Sequence, residues 1–97
     1  MRLKPFRIEY PGVRGVVRLA VIEEPSGLVC VIDKVRGRID LPRTEWLQAV
    51  RDITRWIEAK AKAANCNEMR LGGRRWAHVL TDYEPLAGVT NGLRKAI

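Results

Sequence analysis

GRIDLPRTEWLQAVRDITRWIE, residues 37–58, decides the fold. A strand-like run ends at a proline, and directly behind it the apolar residues change their spacing. Before Pro42 the pattern alternates. After it Trp46, Val50, Ile53 and Ile57 recur at steps of three and four, continued by Ala61 and Ala64. Proline suits a first helical turn, where its missing N–H costs no hydrogen bond, so a long helix is expected from Pro42 to Ala64, closed by "AANCN". On this spacing Trp46 packs inward with Val50, Ile53 and Ile57. Ala49 and Trp56 widen the stripe, and Arg51, Arg55, Glu58 and Lys62 lie on a more polar face.

Upstream the chain reads as strands. "FRIEY" (6–10) alternates and stops at Pro11-Gly12, and "VRGVVRLAVIEE" (13–24) and "GLVCVIDKV" (27–35) face one another across "EPSG" as a hairpin. "RGRIDL" (36–41) supplies a further strand with Gly37 as its bend or bulge. Downstream, "EMRL" and "RRWAHVL" flank Gly72-Gly73, which predicts a second hairpin with Arg74 and Arg75 at its tip and His78 on a strand between Trp76 and Leu80. The tail has Pro85 at a plausible helix start and Gly88 and Gly92 behind it, so a short terminal helix is expected. The expected fold is therefore α+β: an antiparallel sheet of four or more strands packed on one long helix, with a C-terminal hairpin and a short terminal helix. No repeat or linker divides residues 1–97, and one domain is expected.

The 97 residues, 46% hydrophobic and 30% charged, suit one modest core with little room for an elaborate internal active site. Eighteen lysines and arginines, thirteen of them arginine, outnumber eleven acids and leave a net charge of +7. Such an imbalance attracts polyanions. Cys30 and Cys66 form no CxxC pattern and His78 is the one histidine, which argues against a zinc site or a disulfide framework. The basic N-terminus lacks an apolar stretch of signal-peptide length and no run is long enough to span a membrane, so an intracellular, cytoplasmic protein is expected.

For catalysis the sequence offers no G-x-S-x-G, H-E-x-x-H or P-loop, and Glu23 and Glu24 are adjacent strand residues that point to opposite faces. No enzyme and no cofactor are expected. Strand arginines are more informative. Arg14 and Arg18 share a face with Val16, and Arg36 and Arg38, two apart, share a face as well. A sheet face that mixes arginine with apolar side chains suits a ligand that presents phosphates and bases together, as a single strand does. Duplex DNA is met chiefly through its phosphates and groove edges. The "GGRR" turn adds Arg74 and Arg75, able to cradle phosphate. Trp76, behind that arginine pair, and Trp56, at the edge of the helical stripe, are the candidates for base stacking.

With these residues in view, the opening stretch resembles the end of the Positive-Cofactor-Four family of single-stranded DNA-binding coactivators: Gly37, Ile39, Leu41, Glu45 and Trp46 fit its glycine, apolar strand, capping turn, acidic residue and tryptophan. Pro42 stands where that family has a threonine cap. The chain continues past the helix into "RLGGRRWAHVL", and in element order and arginine-rich composition the whole is similar to the ThermoDBP-related proteins of archaea, which hold single strands in an apolar cleft rimmed with basic residues. Both resemblances imply non-enzymatic binding of single-stranded DNA or RNA with little sequence specificity. The competing expectation is a protein–protein or homodimerisation module built on the broad stripe that includes Ala49 and Trp56, its basic charge serving solubility.

Overall fold

A computed structural model describes residues 4–97 of the chain. The elements, in chain order, are β1 (Phe6–Arg7), β2 (Val13–Glu24), β3 (Gly27–Ile39), α1 (Arg43–Ala63), β4 (Cys66–Leu71), β5 (Glu84–Pro85) and β6 (Leu93–Ala96). All six strands join one sheet in the order β1-β2-β3-β4-β6-β5.

The sheet is mixed, which corrects the antiparallel sheet expected from sequence. β2 and β3 form an antiparallel hairpin around Pro25 and Ser26, but β4 pairs with β3 in parallel, from Leu28↔Cys66 to Val31↔Arg70. Parallel neighbours need a long crossover, and α1 is that crossover. Asn65, with φ of 66°, reverses the chain behind the helix so that β4 starts one residue later. The segments read as separate strands at 27–35 and 36–41 are one strand. Gly37 keeps regular register with Gly15, and the irregularity falls instead between Arg18 and Leu19, where Asp33 is the extra residue on β3.

The C-terminal hairpin and terminal helix are also corrected. "EMRL" belongs to β4, but "RRWAHVL" makes no strand. The Trp76 carbonyl accepts hydrogen bonds from the backbone N–H groups of both Val79 and Leu80, so these donors close a turn and are not offered to a neighbouring strand. His78 is accordingly an exposed turn residue. In place of a terminal helix, positive φ at Gly88 (81°) and Asn91 (52°) turns β5 back along β6, and β6 in turn pairs antiparallel with β4.

α1 covers one face of the sheet. Ile57 and Ala61 meet Val17, Leu19, Cys30, Met69, Leu71 and Leu93, with Val79, Leu80 and Tyr83 closing the same core. Each fully buried side chain of this size contributes about 1.5 to 3 kcal/mol relative to exposure. Trp46 is not part of that core. It is 41% exposed, because α1 leans mainly on β4 and its first two turns, residues 43–48, overhang the space beside the β2–β3 hairpin. Cys30 and Cys66 are both buried and unbridged, and burial pushes the Cys30 thiol up to about 12.

Charge is distributed unevenly. At the end of the sheet where β4 and β6 meet, Arg70 makes a two-pronged pair with Glu24 and also reaches Glu68, which accepts from Arg94 at 2.6 Å. On the core side, Lys95 and Arg55 bridge Glu58 and Asp82. Glu24, Glu58, Glu68 and Asp82 are thus spent away from the distal end of the hairpin.

Candidate nucleic-acid interface

Between the distal half of the β2–β3 hairpin, the overhanging start of α1 and the segment after β4 lies a cleft of about 890 Å³. Its floor is the inward row of the hairpin, Val13 opposite Ile39, Gly15 opposite Gly37 and Val17 opposite Val35. The two opposed glycines leave that row without side chains at its middle. A Cβ on Gly37 would stand 2.1 Å from the Arg14 carbonyl oxygen, so the strands approach there as only glycine permits.

One wall is the helix. The turn before it is pinned to the hairpin by the Asp40 N–H on the Gly12 carbonyl, at 2.6 Å, and Pro42 then starts the first turn. The Trp46 indole N–H donates to the Leu41 carbonyl at 2.8 Å, which fixes the ring at the mouth of the cleft, and the Arg43 guanidinium lies 6.0 Å from the ring centroid. Leu47, Val50 and Ile53 carry the wall deeper. A further wall is the segment of Arg74, Arg75, Trp76 and His78. It is tied to the helix by Arg51, whose Nε donates to the Val79 carbonyl at 3.1 Å. On the other flank the Tyr10 hydroxyl donates to Asp52 at 2.9 Å, so α1 is held from both sides of the opening.

Electrostatically the cleft is one-sided. Among the described residues bordering it seven are cationic and one, Asp33, is a carboxylate. Arg43, Arg74 and Arg75 come from its walls, while Arg14, Lys34, Arg36 and Arg38 stand on the floor strands at positions whose side chains alternate toward the ribbon's other face. Asp33 pairs with Arg18 at 2.8 Å, and Arg38 reaches Asp40 at 3.0 Å. Arg14, Arg36, Arg43, Arg74 and Arg75 have no acidic partner among the described residues. Three of these, Arg43, Arg74 and Arg75, stand on the walls beside the apolar floor and two indoles, an arrangement that can hold a ligand that is anionic on one side and flat and apolar on the other. Among the described residues no group of three or more His, Cys, Asp or Glu side chains is placed to hold a metal ion.

Of the residues singled out from sequence, Arg74, Arg75 and Trp76 lie on a wall of this cleft, Trp76 also packing against the core, while Arg14, Arg36 and Arg38 belong to its floor strands at positions that alternate toward the other face. Arg18 stands beside it, joined through Asp33. Trp56 is elsewhere. Its ring meets Phe6 edge to face at 5.4 Å, with the Lys60 ammonium 4.7 Å from its centroid, at the edge of the core under β1. Trp46 and Arg43 were not among those candidates. The signal that could have found them is the position of Trp46 in the first turn behind Pro42, before the helix has reached the sheet.

No protein-family model, no curated protein and no solved structure matches this chain.

Proposed function

We propose that the protein is a non-enzymatic, cytoplasmic binder of single-stranded nucleic acid, DNA and RNA alike, with little sequence specificity. The observation that carries this reading is the cleft itself: unpaired arginines beside an apolar floor, with Trp46 and Trp76 both lining it. Bases are desolvated against the floor and stacked on the indoles, while phosphates stay at the rim with Arg43, Arg74 and Arg75. Stacking accepts every base, because each has a π face, so affinity arises without a sequence code. Among the described residues no helix is long and apolar enough to cross a membrane.

The test is a titration of fluorescent oligo-dT, the matching RNA and a duplex at several salt concentrations. Folded Trp76→Ala should lose roughly 1 to 3 kcal/mol per stacked base, and Trp46→Ala a similar amount. Arg75→Ala should instead lower the salt slope by about 0.7. Trp56→Ala, away from the cleft, serves as the comparison. If both cleft tryptophans can be removed with affinity intact, stacking is wrong. If binding ignores salt, a protein-binding or homodimerising surface replaces the nucleic-acid reading.

A further inference from the structure

The distal β2–β3 ribbon has two faces, and the cleft occupies one. On the other, the register sets Arg14 directly across from Arg38, Val16 across from Arg36 and Arg18 across from Lys34. The pleat keeps these side chains together, since each alternates with an inward neighbour, and the extra residue at Asp33 preserves the alternation on either side of it. Two like-charged pairs placed directly opposite each other repel within the folded chain. Relief is partial: Asp33 and Asp40 answer Arg18 and Arg38, while Arg14 and Arg36 have no acidic partner among the described residues. The helix lies on the other side of the sheet, so nothing in α1 offsets the repulsion. Successive cations on one strand stand about 6.6 Å apart, a regular repeat that fits an anionic polymer better than an isolated anion.

Between the two faces runs an edge of β3 that carries no paired strand among the described residues. β4 pairs with β3 only from Leu28 to Val31, so from Ile32 to Ile39 the cleft-side edge of β3 has no neighbouring strand among the described residues. A chain leaving the cleft can cross that edge beside Arg36 and Arg38 and arrive on the outer row, where exposed Val16 supplies an apolar contact between the cations.

We propose that the outer row is the second segment of one continuous track: a single strand whose bases enter the cleft passes over the open edge of β3 and lays its phosphates along the ribbon's outer face. The inference rests on the reading of the cleft as a single-strand site. It adds that the preferred ligand is a strand long enough to wrap the ribbon, and that the two segments are separable by length.

The experiment compares oligo-dT of about five nucleotides, near the short end of single-strand site sizes, with oligo-dT of about twenty. Both are titrated against the parent and the double variant Arg14→Thr/Arg36→Thr across a salt series. The expected result is that the variant binds the short oligonucleotide as the parent does, while for the long one its salt slope falls by about 0.7 for each arginine removed. Without ligand, the variant's thermal midpoint at low salt should equal or exceed the parent's, because repulsion has been removed; this separates lost contacts from lost folding. Equal losses for both lengths would place these arginines inside the cleft site and overturn the track. No loss for either would leave the outer row unused, and two long oligonucleotides bound per chain would replace one track by two sites. If the parent binds neither length, the cleft reading fails first, and the outer row with it.

Discussion

Glu58 sits on the face of α1 that its spacing assigns to solvent, yet only 7% of it is exposed. Its carboxylate accepts from the Tyr83 hydroxyl at 2.6 Å, the Lys95 ammonium at 3.1 Å and the Arg55 guanidinium at 2.9 Å. A buried carboxylate is tolerable when its lone pairs are answered by charge-assisted hydrogen bonds. Two of these partners lie 25 and 37 residues away, so no local pattern could announce them. Tyr83→Phe removes one such bond while leaving the other two, and should lower stability by about 1.5 to 3 kcal/mol in urea unfolding. Burial first, and then the bond to Glu58, raise the Tyr83 phenol above its ordinary 10.0, so the fold favours the neutral form. The stability it contributes is full below pH 10.0 and is lost as the pH climbs beyond that value. Alkaline titration of the unfolding free energy should therefore fall less steeply in the phenylalanine variant than in the parent. The part contributed by Lys95, also raised, should remain.

At the scale of elements, the ribbon shows how far a strand pattern carries. Gly37 stands out in the sequence as a place where the strand must do something unusual, and it does, though not as a bulge. With φ of 150° and the Arg14 backbone against the site of its missing Cβ, it lets two strands close on each other opposite Gly15. Gly37→Ala forces backbone to move and should cost about 1 to 3 kcal/mol, read as a lowered denaturation midpoint. Cleft binding should weaken with it, because the floor is built on that pair. The "RRWAHVL" segment teaches the opposite lesson. Its letters alternate as a strand would, but the N–H groups of Val79 and Leu80 are both held by the Trp76 carbonyl. Alternation is necessary for a half-buried strand, and it is not sufficient where no partner edge is available: β4 takes β6 as its neighbour instead.

For the whole molecule, the decisive feature is that one helix must serve a sheet of six strands. α1 backs the centre of the sheet, where Cys30 and Met69 are essentially inaccessible, and leaves the distal ribbon backed by a cleft. Local stability should follow that division. Amide hydrogen exchange is expected to be slowest near Cys30 and Met69 and faster around Val13–Val17 and Val35–Ile39. Adding oligo-dT should slow the second group selectively, and unchanged protection there at saturating ligand would place binding on another surface. Acidification should act at the opposite end. Burial works to raise the Asp82 carboxyl, but hydrogen bonds from Lys95 and Arg55 outweigh it and hold the group below its ordinary value of 3.8. Its contribution is present above that value and lost as the pH falls through the lowered one, loosening the β5–β6 end first.

The long helix behind Pro42, the hairpin around "EPSG" and the excess of arginine were all legible in the sequence, because each depends on neighbours within a few residues or on composition alone. Grouping Arg14 with Arg18 and Arg36 with Arg38 needed only the two-residue period of a strand. What the tertiary structure decided was pairing over distance. It brought β4 beside β3 in parallel, made the tail a pair of strands and drew Glu58 inward. It also left Trp46 exposed at a cleft that Trp76 lines as well. Those outcomes turn on which strand edge and which sheet face remain available once the local elements have formed, and on where a helix 21 residues long runs out of sheet to cover.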